Sequence, residues 1–227
     1  MKKVVIFGGG SGLSQILKGL KLFPLDITAV VSVADNGAST GRLRKDLNIP
    51  AVGDISKVML AMSSLGEEQI TKCASKIKKV EYNQKITINP EVLKAVDNSD
   101  LIIFSSGSLL TSIAPHLINK TLVKSIKKSP APKIYICNLF TQPGETDNFT
   151  VSDHIKILEN YLGSRTINAV VANNNMLNNE LVNIYQTKEQ KDPVELDVDN
   201  LKKLNIEILA DNLAKIEDSV YRHDSLK

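Results

Sequence analysis

A chain of 227 residues is long enough to bury a core without covalent staples, and its 42% hydrophobic and 23% charged content excludes disordered and fibrous classes. A net charge of +3, from 28 basic and 25 acidic residues, is too small for nucleic-acid binding by bulk electrostatics. No apolar run approaches the ~20 residues of a membrane helix, and the start MKKVVIFGGG lacks the long apolar stretch and cleavage site of a signal peptide, so a cytoplasmic protein without a membrane partner is expected.

The first predicted element is the strand KVVIFGG, followed by GGGSGLSQIL and a helix with Leu13, Ile16, Leu17 and Leu20 at helical spacing. The strand ITAVVSVA comes next, then a helix over GDISKVMLAMSSL that turns Val58, Met59 and Met62 inward. From Gly66 to Asn89 helix and strand signals mix, which predicts a peripheral hairpin or an interrupted region. Asn89-Pro90 starts the helix PEVLKAVDNSD, which feeds the strand DLIIFSSG. The strand KIYICNL carries Cys137 as a buried core residue. Cys137 and Cys73 lack zinc or disulfide spacing, and the lysines of KSIKK and KIKKV read as solvated faces. The helix VSDHIKILENYL, with Ser152 and Asp153 in capping or Asx roles, precedes the strand INAVVAN. The segment IEILADNLAKIEDSVYRHDSLK reads as one more strand and an antiparallel ribbon. Strands without polar alternation are buried on both faces, and their alternation with helices predicts an α/β fold, a doubly wound, mostly parallel sheet with helices on both faces. Residues 1–227 are expected to form one domain, interrupted or reduced near 64–89.

Ligands of such sheets bind beyond the carboxyl ends of the strands, where polar residues gather. Gly9, Gly10, Ser11 and Gly12 follow the first strand, and glycines there allow a sharp turn with N–H groups against an anion at a helix N-terminus; a ligand-free strand-to-helix turn is the alternative. Leu13 breaks the dinucleotide fingerprint and no P-loop lysine follows, which disfavours NAD and Walker-type ATP sites. After the second strand, Asp35 stands where a carboxylate meets a ribose, beside Asn36; Ser39, Thr40 and Arg42 add small donors and a forked cation suited to phosphate. Asp54 is an N-cap or a site carboxylate. Ser105, Ser106, Gly107 and Ser108 make a second small-residue turn for phosphate or sugar hydroxyls. Between Asn138 and Asp153, Asn138, Thr141, Gln142, Glu145, Thr146 and Asp147 are suited to a base, a sugar or a metal. Arg222, His223 and Asp224 stand together near the end.

The ordered motifs GGGSGLS, VADNGASTGRLR, GDI, GSLLTSIAPHL, CNLFTQPGETDNFTVSDH and RHD, from Lys3 to Leu226, resemble the bacterial gluconeogenesis factors, relatives of the 2-phospho-L-lactate transferases that make a deazaflavin cofactor. The resemblance implies a Rossmann-like cytoplasmic protein that binds a nucleotide-sugar such as UDP-N-acetylglucosamine; because an exposed sheet edge in such folds commonly pairs, a homo-oligomer, a dimer, is expected. It implies no established reaction, and a role in cell morphogenesis and wall synthesis during gluconeogenic growth. In that reading Gly10, Ser11 and Gly12 meet the pyrophosphate, with Arg42 and Arg222 adding charge-assisted contacts. The transferase branch implies instead a phospholactyl group moved from a nucleotide diphosphate donor to a deazaflavin acceptor, with magnesium held by Asp35 or Asp54. Two departures stand out. Asn36 replaces the second member of an acidic pair, and a segment carrying a GHS-type glycine motif is missing after the GDI helix, with the junction between Gly66 and Lys76.

Overall fold

The computed structural model describes residues 1–32, 87–217 and 220–227, excepting the side chain of Ser11. The GDISKVMLAMSSL helix, Cys73, KIKKV and nearly all of the mixed Gly66–Asn89 stretch lie outside the described residues. In β1 (Lys2–Gly8) successive side chains point to opposite faces. Val4 and Ile6 pack with Leu13, Ile16 and Leu17 of α1 (Gly10–Leu20), while Val5 and Phe7 join the core on the other side. All four strand residues are at most 2% exposed, so the unbroken apolar run is a consequence of burial on both faces.

The chain continues through β2 (Leu25–Val31), α2 (Pro90–Asp97), β3 (Leu101–Phe104), a π-helical turn (Leu109–Ile113) and the short α3 (Ala114–Leu117). It then forms α4 (Lys120–Lys128), β4 (Lys133–Ile136), α5 (Val151–Leu162) and β5 (Ala169–Asn173). Last come α6 (Asn179–Ile184), a second π-helical turn (Tyr185–Glu189), α7 (Val198–Lys203), β6 (Glu207–Asp211) and the pair β7 (Ala214–Glu217) and β8 (Val220–His223). The main sheet has the order β2-β1-β3-β4-β5-β6 and is parallel throughout. The larger core lies on the face opposite α1, where Phe7, Ile102, Phe104 and Tyr135 meet Leu122 and Ile126 of α4 and Ile155 and Leu158 of α5.

The structure thus has the expected α/β architecture. Cys137 is buried, at 2% exposure, and β7 pairs with β8 antiparallel, Lys215 opposite Arg222. The lysines of KSIKK are solvated as read, and one local reading is refined. The lysine-rich KSIKK belongs to a helix, α4, whose Leu122 and Ile126 are buried four residues apart while the lysines face outward, and Asn119 caps it by accepting from Thr121 and Leu122 N–H groups at 3.0 and 3.1 Å. The N-cap of α5 is Thr150, and Asp153 has the expected capping role. Asp153 stands one turn in and accepts from the Thr150 N–H at 3.2 Å, a capping box, and the Ser152 N–H donates to Asp197 at 2.9 Å. Among the described residues no helix is long and apolar enough to cross a membrane.

Candidate functional site

The strand order places β2 and β3 on opposite sides of β1, so the winding direction reverses between β1 and β3. At such a point two crossovers leave in opposite directions and open a crevice at the carboxyl ends. The turns of Gly9–Gly12 and Ser105–Ser108 meet there. A Cβ on Gly8 would lie 2.0 Å from Ser105 Oγ, one on Gly9 would lie 2.3 Å from Ser112 Oγ, and one on Gly12 would lie 1.6 Å from the Ser106 carbonyl oxygen. Close approach of the two turns therefore requires these glycines by itself, whatever occupies the crevice.

The two turns differ electrostatically. Gly9 is the N-cap of α1 and Gly10 its first residue; no side chain caps that helix and its first turn carries no acid. The positive end of its dipole is left without a counter-charge from its own first turn. The helical segment after β3 has one. Ser108 Oγ donates to the Glu145 carboxylate at 2.6 and 2.7 Å, and the Leu110 N–H donates to it as well. Ser108 and Glu145, both candidate ligand residues, are thus engaged with each other, and a protein carboxylate stands where the sequence left room for a phosphate or a sugar hydroxyl. Asp147, also a candidate, is exposed and accepts from the Gly144 N–H at 3.0 and 3.1 Å, which closes its own turn.

Between these turns and the C-terminal hairpin lies a cavity of 260 Å³ whose wall brings together Gly12, Gly107, Asn138, Thr141, Gln142 and Arg222. Asn138 clamps the second turn, accepting from the Gly107 N–H and donating to the Gly107 carbonyl, both at 2.8 Å. Thr141 is 2% exposed and pairs with Asp192 through its N–H at 2.8 Å and its hydroxyl at 2.9 Å. The Gln142 N–H donates to Thr146, while its side-chain oxygen is buried without a partner among the described residues. Among the described residues Arg222 makes one loose ion pair, Nε 3.7 Å from Glu217, and its side chain remains 38% exposed. The described residues do not include Asp35, Asn36, Ser39, Thr40, Arg42 and Asp54.

The cavity wall also includes residues that the sequence reading missed. Phe140 and Tyr185 stack with centroids 4.3 Å apart at 14°, Tyr221 tilts against both, and Lys191 pairs with Glu189 at 2.7 Å. Phe140 lies more than 40 residues from Tyr185, and their segments are joined where Phe140 bridges Pro193. The one signal in the sequence is Phe140 itself, an aromatic in an otherwise polar strand-end run.

Two histidines hold the frame. His223 Nε2 donates to the Cys137 carbonyl at 2.9 Å, and burial keeps its imidazole neutral by lowering its pKa. His116, beneath the glycine turn, is pushed down to about 4 by burial, against a weak contact at 3.4 Å with the Gly8 carbonyl that favours the charged form. His223 thus anchors the hairpin to the end of β4. Among the described residues no three His, Cys, Asp or Glu side chains gather to hold a metal ion. A broader depression of 530 Å³, lined by Arg165, Lys202 and Glu207, lies at the amino ends of β5 and β6, away from the switch point.

The model of the family described as 2-phospho-L-lactate transferase CofD matches residues 4–65 and 62–214. The gluconeogenesis factor of Bacillus subtilis (strain 168) is 31% identical over 302 positions, covering 99% of this chain and 95% of the relative. That of Halalkalibacterium halodurans is 32% identical over 304 positions, covering 100% and 94%. A crystal structure of a Bacillus halodurans protein of the UPF0052 family superposes with a TM-score of 0.92 at 29% identity, over 100% of this chain and 97% of that one. Alignments of 302 and 304 positions on 227 residues mean that the relatives carry a segment this chain does not, and the family model divides at 62–65, beside the junction read from the sequence. The chain belongs to the gluconeogenesis factor family, within the CofD-type proteins.

Proposed function

We propose that this protein binds a nucleotide-sugar of the UDP-N-acetylglucosamine type and acts as a non-catalytic cytoplasmic regulator, a dimer, supporting cell shape and wall synthesis during gluconeogenic growth. The observation that carries the reading is the cavity at the β1/β3 switch point, which has the first turn of α1 at one side and the loosely paired Arg222 at the other. A diphosphate there would meet helix-terminal N–H groups and a guanidinium together, and each hydrogen bond to a charged group contributes about 1.5–3 kcal/mol. Titration calorimetry tests it. UDP-N-acetylglucosamine should bind the wild type, and Arg222→Ala should weaken binding by about 10- to 100-fold. Unchanged affinity in the variant would overturn the assignment, and light scattering at the monomer mass would overturn the dimer.

The description of the matching family model favours a second reading, a 2-phospho-L-lactate transferase. Its donor diphosphate would take the same place, while Asn36 removes one carboxylate that could hold magnesium. Incubation with magnesium, a guanylylated lactate donor and a deazaflavin separates the two readings. A phospholactyl product establishes the transferase, and its absence leaves the regulator.

A further inference from the structure

Gly19 lies near the end of α1, buried and seven residues beyond Gly12, where the turn after β1 does not account for it. Alanine is the better helix former, so a glycine there needs a physical reason. The reason is a close approach. A Cβ on Gly19 would lie 1.7 Å from the Ser225 carbonyl oxygen, a backbone atom that cannot rotate away, and 2.8 Å from Ser225 Cβ. The chain leaving β8 therefore presses directly onto the helix.

Gly12, Gln15 and Gly19 are spaced i, i+3 and i+7, which puts them on one stripe of α1. Each meets a backbone carbonyl. Gly12 faces that of Ser106, Gln15 Nε2 donates to that of His223 at 3.0 Å, and Gly19 faces that of Ser225. The last two carbonyls belong to the run that directly follows Arg222. That run is itself held in a fixed turn: the Asp224 N–H donates to the Leu213 carbonyl at 2.7 Å, and the Leu226 N–H donates to Asp224 Oδ1 at 3.3 Å. Gly12 and Gly19 stand about 10 Å apart along one rigid helix. The seat of His223 and Ser225 on α1 therefore sets how far Arg222 stands from the first turn of that helix.

We propose that Gln15 and Gly19 are positioning residues, which hold Arg222 in register with the first turn of α1 so that both reach one diphosphate. This rests on the nucleotide-sugar reading and adds to it what fixes the spacing of the two anion contacts. Neither Gln15 nor Gly19 lines the cavity, so both act through the chain from Arg222 to Ser225. A helix N-terminus and a guanidinium serve the same ligand only at a fixed separation, and a misplacement of about 1 Å is enough to lose a contact that depends on geometry.

The test is titration calorimetry of UDP-N-acetylglucosamine with the full chain. Gly19→Ala should push Ser225 off the helix and weaken binding about tenfold. Gln15→Met keeps the length of the side chain, removes its donor, and should weaken binding about three- to tenfold. The double variant Gly19→Ala/Arg222→Ala separates positioning from plain stability. If Gly19 acts through Arg222, the double variant binds no more weakly than Arg222→Ala alone, whereas independent losses multiply. In the ligand-free protein, Gly19→Ala should speed amide exchange at 221–226 while β1 and β3 keep their rates. Gln15→Met puts no bulk into an occupied space, so a Gly19→Ala chain that fails to fold leaves the test intact. If UDP-N-acetylglucosamine binds and Arg222→Ala weakens it, unchanged affinity in Gly19→Ala and Gln15→Met, or losses that multiply with that of Arg222→Ala, overturn the positioning role while the nucleotide-sugar reading stands. If the wild type does not bind, both fall together.

Discussion

At the residue scale the first consequence concerns Gly12. Its missing Cβ leaves space for the Ser106 carbonyl, a backbone atom that cannot rotate away, and the would-be separation is 1.6 Å. Gly12→Ala should therefore separate the two turns and destabilise the fold by about 1–3 kcal/mol, the range of overpacking, which urea unfolding measures directly. An unchanged midpoint would mean that the turns are not in contact. A second consequence comes from the histidines, of which the chain has three. Burial lowers the pKa of His116 to about 4 and lowers those of His154 and His223. A group whose folded pKa lies below its unfolded value of about 6.5 binds its proton more readily in the unfolded chain. Its contribution is complete above pH 6.5 and is lost as the pH falls toward 4. For His116 the loss is on the order of 3 kcal/mol. Stability measured at pH 7, 6, 5 and 4.5 should fall steadily, and His116→Gln should flatten the profile; stability that rises on acidification would contradict this.

At the element scale the cavity depends on the C-terminal hairpin, which is attached at few points. Gln15 of α1 donates to the His223 carbonyl at 3.0 Å, His223 donates to the Cys137 carbonyl, and the Tyr221 N–H donates to Tyr185 Oη. Tyr185→Phe keeps the ring against Phe140 and removes only the last acceptor. It should lower stability by about 1 kcal/mol and speed hydrogen exchange at the Tyr221 amide, while β1 and β3 amides keep their protection. Equal loss of protection in β1 would show that the hairpin is part of the global unit. The same elements show what the sequence makes legible. The buried strands VVIF, IIF and AVVA are readable because two-sided burial admits only apolar residues. Helix α4 was hidden because Leu122 and Ile126 bury only a narrow stripe between lysines. At the start of α5 Thr150 and Asp153 share one cap, and from sequence either could hold it. Gly12 was legible as a glycine of the turn after β1, Asn138 as a polar residue beyond β4, and Arg222 as part of the terminal RHD run. The aromatic wall was not, since it exists only where a distant segment crosses Phe140 at Pro193.

At the scale of the whole molecule, the cavity draws on residues from Gly12 to His223, nearly the full length of the chain. The order β2-β1-β3-β4-β5-β6 brings the first helix and the last hairpin to one rim although they are joined by the entire sheet. A ligand seated between them closes a contact of very long sequence separation, one that no local opening of the hairpin can preserve. Binding should therefore stabilise the hairpin and α1 together. With UDP-N-acetylglucosamine at about 100 times its dissociation constant, linkage adds about 2.7 kcal/mol to global stability. Thermal unfolding should shift upward in proportion to the logarithm of ligand concentration, and exchange at Val220–His223 and at the first turn of α1 should slow by similar factors. Protection confined to the hairpin would place the ligand outside the crevice, because a molecule resting on β7 and β8 alone has no means of restraining Gly12. Equal protection at both ends, lost in Arg222→Ala, is the pattern that only a ligand spanning the β1/β3 switch point produces.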